Sequence, residues 1–149
     1  MATTTLTLHH LLDLKSLERQ DLLELLRHAQ RYADDINAKR AIKPSQSGKV
    51  ALNLFYEPST RSQYSFVIAE ERLGMTVLNP AMENLSDKKG ESLIDTLHAF
   101  EAMGVDLIVL RHQDNHTPHF VAGELNQSTQ IINAGDGKNE HPSQALIDL

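Results

Sequence analysis

From Ser16 onward, the apolar residues Leu22, Leu25, Leu26, Ala29, Ala33 and Ile36 recur at intervals of three, four and one. That spacing lines one face of a helix, and the Ser16 hydroxyl suits its N-terminal cap. Residues 1–12 read as a loose lead-in. "AIKPSQSGK" closes the segment with Pro44 and Gly48.

A different rhythm follows. "KVALNLFY" is a short apolar run of buried-strand type, and "STRSQYSFVIAEERLG" is helical up to Gly74. "MTVLNP" reads as a second strand, "AMENLSDKKG" as a polar loop leaving the body of the domain, and "ESLIDTLHAFEAMG" as a helix up to Gly104. "VDLIVLRH" is a third strand, "TPHFVAGELN" a short helix and "TQIINAG" a fourth strand. "DGKNEHP" is a loop, and "SQALIDL" opens a last helix. Strands alternating with helices predict an α/β fold: a parallel sheet of about four βα units with helices on both faces, preceded by an N-terminal helix.

Length and composition narrow the picture. The 149 residues suffice for one domain with a real core, and 40% hydrophobic with 23% charged residues fits a globular class. The net charge of −6 argues against nucleic acid or an anionic membrane as the main partner. With no cysteine, disulfides, thiolate zinc sites and cysteine nucleophiles are excluded. No run is long enough to span a bilayer, and "MATTTLTLHHLLDL" lacks the basic-then-apolar order of a secretory signal. The expected location is the cytoplasm.

In parallel sheets, ligands bind beyond the carboxyl ends of the strands. The segments there are "EPSTRS", "ENLSDKKG", "RHQDNH" and "GDGKNEHPSQ", which together gather basic, hydroxyl and imidazole groups. "EPSTRS" joins a buried strand to a helix start, where free backbone N–H groups and the helix dipole favour an anion. Ser59, Thr60 and Ser62 add hydroxyl donors, and Arg61 adds a planar fork that matches phosphate. The plainer reading makes Ser59 or Thr60 a cap and Arg61 a surface ion pair.

Lys88 and Lys89 are either solvated loop lysines or cations that swing onto a ligand or a neighbouring chain. Arg111, at the carboxyl end of its strand, needs a partner, with Glu57 or Asp136 in reach. His141 precedes Pro142, which suits a first helical turn and places Gln144 on the ligand side. His141 can then donate to a polarised carbonyl oxygen, and Gln144 can recognise an amide-like group. A capped turn with an exposed histidine is the plainer alternative.

His112, His116 and His119 stand four and three apart, a metal-ligand-like spacing. Pro118 and the preceding strand break the common helical face that such a set needs, and no glutamate lies between them as a base. No metal site is expected. Neither G-x-S-x-G nor a P-loop occurs.

"FYEPSTRS", "KKGESLIDT", "LRH" and "INAGDGKNEHPSQALIDL" occur in the order and spacing of aspartate carbamoyltransferase catalytic chains, which this chain resembles from about Lys49 to Leu149. "STR" and "HP-x-Q" also resemble ornithine carbamoyltransferases, whereas the lysine before "GES" and "NAGDG" point to the aspartate type.

The resemblance implies a carbamoyl-phosphate-binding domain over residues 1–149, with an aspartate-binding domain expected after Leu149. It implies that Ser59, Thr60, Arg61 and Ser62 hold phosphate. Ser62, Arg111 and His141 would surround the carbonyl oxygen, Gln144 would hold the carbamoyl amino group, and Lys89 would reach a neighbouring subunit's site in a homotrimer. The implied reaction transfers the carbamoyl group from carbamoyl phosphate to L-aspartate, in pyrimidine biosynthesis, without metal or cofactor. A regulatory or dihydroorotase-like partner chain also fits the family.

The chain departs from the family in two stretches. Its usual S-T-R-T-R is S-T-R-S-Q here, so Gln63 replaces a cation, and Leu85 and Ser86 stand where a serine near the lysine loop touches phosphate. Two other readings follow: a non-catalytic homologue or fragment acting in subunit assembly, and an ornithine-type enzyme. Alone, 149 residues lacking the aspartate half are expected to show negligible transferase activity.

Overall fold

The fold is described from a computed structural model, which covers Leu6, residues 8–85 and residues 92–149. The element order is α1 (Arg19–Asn37), β1 (Val50–Phe55), α2 (Thr60–Arg72), β2 (Thr76–Leu78), a 3-10 turn (Met82–Asn84), α3 (Leu93–Ala102), β3 (Leu107–His112), α4 (Thr117–Glu124), β4 (Gln130–Asp136) and α5 (Pro142–Ile147). The four strands pair in parallel in the order β2-β1-β3-β4.

That order sets the position of the site. From β1 the chain steps to β2 on one side, then crosses back to β3 on the other. Right-handed crossovers therefore put α2 and α3 on opposite faces. The packing agrees with the two-residue period of strands. Leu52, Leu54, Ile108, Leu110 and Ile131 point to a core shared with Leu97 of α3 and Val121 of α4. Phe55, Val109 and Ala134 point the other way, toward Phe66 of α2. Each large aliphatic side chain fully buried in this way stabilises the fold by about 1.5–3 kcal/mol.

The direction of winding reverses between β1 and β3. The crevice beyond their carboxyl ends is the expected ligand position of such a sheet. The segments that follow β1, β3 and β4 all open on that edge.

Four expectations need correction. First, Ser16 does not cap α1. The helix starts at Arg19 after Glu18, and the Ser16 N–H donates to Asp13 Oδ1 at 2.7 Å. The aspartate side chain offers the backbone a local alternative to the helix, a common competition. Second, the lead-in is tied down. Leu11 N–H donates to Ile131 O, Asn133 N–H donates to Leu11 O, both at 2.9 Å, and Ile131 N–H donates to His10 Nδ1 at 3.0 Å. Asp13 Oδ2 lies 2.7 Å from His119 Nε2, and that bond, more than any other influence, lowers the Asp13 pKa to about 2 despite its burial.

Third, the predicted apolar face of α1 is only partly covered. Leu22, Leu25 and Leu26 are half-buried, whereas Ala29, Ala33 and Ile36 are exposed. The second half of α1 lies outside the layers that sandwich the sheet, where Tyr32 and Ile36 share a shallow groove with Ile68 and Leu73. Fourth, the start of the loop after β2 stays on the body, with Leu85 packed against the larger core.

Candidate active site

The segment after β1 carries the first donors. Ser59 takes the N-cap position of α2, yet its side chain makes no cap hydrogen bond. Arg61 is exposed and makes no ion pair among the described residues. The plainer reading of both, a cap and a surface pair, is therefore not what the fold uses them for. Their donors remain free at the positive end of a helix. Ser65 is turned back, its Oγ donating to Arg61 O at 2.8 Å, and Gln63 Nε2 donates to Asn79 Oδ1 at 2.7 Å. Gln63 thus ties α2 to the segment after β2.

The segment after β4 brings the second set. His141 precedes α5, and its Nδ1 lies 3.4 Å from Gln144 N–H and 3.1 Å from Ser143 Oγ. An Nδ1 that accepts the backbone N–H leaves the proton on Nε2. Burial, and next the positive charge of Arg111, hold the His141 pKa below its usual 6.5. A neutral ring with its donor on Nε2 follows, and Nε2 is buried without a hydrogen-bond partner. The Gln144 carboxamide is exposed, 3.4 Å from Asp148 Oδ1.

These two segments meet. A cavity of about 550 Å3 is lined by Ser59, Arg61 and Ser62 from one side and by His141 and Gln144 from the other. Ser65, Phe66 and Ala69 of α2, together with Ser143 and Ile147, complete its wall. Sequence reasoning passed over this wall. Its signal was present in α2, because Ser62, Ser65, Phe66 and Ala69 follow helical spacing and so share one face.

Arg111 does not line the cavity and meets it through His141. Its Nη1 donates to Ala134 O at 2.9 Å, and its Nη2 lies 3.4 Å from Glu57 Oε2. Of the two acids considered as its partner, Glu57 is the one engaged. Asp136 is occupied elsewhere, accepting from His116 N–H, Asn133 Nδ2, Asn139 Nδ2 and Glu140 N–H. Burial pushes the Asp136 pKa up, but these four bonds together outweigh it and hold the group below 3.8. Arg111 Nε is buried without a partner, which leaves one donor beside His141.

The backbone makes room for this arginine. The β3–β4 register slips between Leu110 and His112, as at a β-bulge. Gly135 occupies the slip with φ +119°, and a Cβ there would collide with Arg111 Nη1. Only glycine combines that backbone angle with that clearance.

The remaining candidates lie apart. Thr60 opens α2 but is exposed and outside the cavity lining. His112 Nδ1 accepts from Asp114 N–H at 3.0 Å, and its ring lies 5.3 Å from that of Tyr56. Lys88, Lys89 and Ser86 lie outside the described residues. Ser92, in the "GES" stretch, forms a capping box with Asp95, which satisfies the start of α3.

Comparison with known proteins gives a consistent picture. Residues 9–149 match the family model for the aspartate/ornithine carbamoyltransferase carbamoyl-P binding domain. The aspartate carbamoyltransferase catalytic subunit of Coxiella burnetii strain CbuK_Q154 is 45% identical over 140 residues, covering 94% of this chain and 45% of that protein. The catalytic subunit from Microcystis aeruginosa is 41% identical over 144 residues, 95% of this chain and 44% of the relative.

Among solved structures, the catalytic subunit of aspartate transcarbamoylase from M. jannaschii superimposes with a TM-score of 0.83 at 39% identity, covering 95% of this chain and 45% of that one. The Trypanosoma cruzi enzyme in complex with carbamoyl phosphate and aspartate gives 0.84 at 32% identity, covering 93% and 42%. The chain therefore spans less than half the length of these relatives. A match that runs over nearly all of its own residues, in sequence and in fold, places the chain in the aspartate/ornithine carbamoyltransferase family, over that family's carbamoyl-P binding domain.

Proposed function

We propose that this chain binds carbamoyl phosphate in the cavity between α2 and α5 and supplies that half of an aspartate carbamoyltransferase site. One observation carries the reading: Ser59, Arg61 and Ser62, far in sequence from His141 and Gln144, line one cavity with unspent donors. The Trypanosoma cruzi relative with carbamoyl phosphate and aspartate bound supports the ligand.

In this reading the phosphate lies on the α2 start, held by the Ser59 and Ser62 hydroxyls, by Arg61 and by the free backbone N–H of Thr60. His141 Nε2–H is turned to the carbamoyl oxygen, with Ser62 nearby, Arg111 adds its positive charge from behind the histidine, and Gln144 takes the carbamoyl NH2. The amine of L-aspartate attacks the carbamoyl carbon and loses a proton. The C–O bond to phosphate then breaks, releasing inorganic phosphate and N-carbamoyl-L-aspartate, a step of pyrimidine biosynthesis. Negative charge grows first on the carbamoyl oxygen and then on the leaving phosphate. Donors fixed beforehand in a partly dry site stabilise that charge most. The aspartate-binding half lies outside residues 1–149 and joins the reactants in one complex.

The active unit is a homotrimer in which Lys89 serves a neighbouring site, and the protein works in the cytoplasm. Among the described residues, no helix is long and apolar enough to cross a membrane.

Calorimetry of the purified chain tests the binding step. Carbamoyl phosphate, and a bisubstrate mimic carrying phosphonate and dicarboxylate, should release heat with wild-type protein and bind about 30-fold more weakly to Arg61→Ala. Equal binding by a folded Arg61→Ala variant would refute the assignment. The chain alone should form no measurable carbamoyl-aspartate, and a sustained rate would overturn the two-half division.

A further inference from the structure

A second cluster lies away from the cavity. His116, His119 and Asp136 each bring a ligand atom within 4.8 Å of the others, joining the start of α4 to the end of β4. The three-histidine set suggested by spacing is not what the fold assembles, because His112 Nδ1 is occupied by Asp114 N–H and faces Thr117 Oγ1. Asp136 takes the third place.

The bonding of His119 is informative. Its Nε2 pairs with Asp13 Oδ2 at 2.7 Å, which keeps the proton on Nε2 and leaves a lone pair on Nδ1. Nδ1 is buried and has no hydrogen-bond partner. A carboxylate on one ring nitrogen and an unused lone pair on the other is how a histidine is oriented for a metal ion. The His116 ring is exposed, forms no hydrogen bond among the described residues, and meets the His119 ring edge-on at 5.7 Å between centroids. Two imidazoles and a carboxylate suit a borderline cation such as Zn2+, with water in the open position. Asp13 and Asp136 bring two negative charges to the neighbourhood, which offset that of a divalent ion.

We propose that His116, His119 Nδ1 and Asp136 form a binding site for a divalent transition metal of the Zn2+ class, with Asp13 holding His119 in place. The metal draws the three ligands together and replaces the Asn139 Nδ2 bond, 3.0 Å long, on Asp136 Oδ2. Bound there, it clips the lead-in, α4 and β4 to one another.

Co2+ serves as a visible probe in the metal-free purified chain, with Zn2+ as competitor. Wild-type protein should develop cobalt d–d absorption that saturates at one equivalent and is displaced by Zn2+. His119→Gln should abolish it. His116→Gly should also abolish it while keeping the fold, because His116 has φ +64°, an angle that glycine accepts freely. Asp13→Asn should weaken binding about 10-fold.

A His9→Ala variant controls for the other adjacent pair, His9 and His10, whose rings lie 4.3 Å apart, and should bind as wild type does; His10 is kept because its Nδ1 accepts from Ile131 N–H and helps to seat the lead-in that carries Asp13. The proposal is overturned by a wild-type chain with no saturable cobalt spectrum, by wild-type affinity in folded His116→Gly, or by loss of binding in the His9→Ala variant.

Discussion

Asn53 Nδ2 donates a hydrogen bond to Glu70 Oε2, 2.7 Å long, across the contact between β1 and α2. Asn53 is fully buried and Glu70 is 3% exposed. The other oxygens of both groups, Asn53 Oδ1 and Glu70 Oε1, are buried acceptors without a partner. Burial raises the Glu70 pKa above 4.5, against the Asn53 bond that lowers it. A carboxyl with a raised native pKa stabilises the fold fully below 4.5, and this contribution is lost as pH rises through the native value. Glu70→Gln, which keeps the shape and removes the titration, should therefore gain stability over wild type as pH rises from 4.5 to 8. Urea melts at several pH values measure this. Parallel curves for the two proteins would show that Glu70 is ionised at no cost.

Gly135 leaves the room that the Arg111 guanidinium occupies. Gly135→Ala would meet both the strained φ and the Arg111 guanidinium. We expect a loss of at least ~2 kcal/mol of stability, together with loss of carbamoyl phosphate binding. Gly48→Ala is the control: its φ is +85°, but a Cβ there meets nothing within 4 Å. It should cost only ~1 kcal/mol, from backbone strain, and leave binding unchanged.

Arg61→Ala removes an exposed, unpaired cation, so stability should change by no more than ~0.5 kcal/mol. Affinity for carbamoyl phosphate should fall about 30-fold, the equivalent of ~2 kcal/mol for a charge-assisted bond. Added salt should weaken wild-type binding more than the residual binding of the variant. Calorimetry at two ionic strengths checks both statements.

His141 carries the opposite sign to Glu70. Its native pKa lies below 6.5, so its contribution to stability is present above 6.5 and lost as pH falls through the native value. Protonation would also end the ability of Nδ1 to accept the Gln144 N–H. Imidazole NMR signals should show His141 titrating below 6.5. Carbamoyl phosphate affinity should not follow a histidine titration between pH 7 and 8.

Much of this was legible in the chain. The short apolar runs and the stops near Gly74 and Gly104 gave the βα rhythm, and the rhythm placed the polar segments on one edge. Contacts between distant backbones left no such trace. Leu11 pairs with β4 through N–H and C=O groups, which every residue has, so no side-chain pattern announced it. Competition was equally hard to see: Ser16 looked like a cap until Asp13 claimed its N–H. The Arg111–Glu57 pair was one of two open choices, and Asp136 was ruled out only by the four donors already around it. The Ser92–Asp95 capping box was written in plain S-x-x-D form and went unread.

The pairing of Leu11 with Ile131 and Asn133 has one more consequence. A seven-residue parallel edge strand such as β4 is a template on which a foreign chain can grow. Here the protein's own lead-in occupies the middle of that template, so enlargement of the sheet by recruitment from outside is blocked on this flank. Versions trimmed past Asp13 would lose this guard and self-associate. Resistance to aggregation thus depends in part on a stretch that, among the described residues, lines none of the ligand cavity.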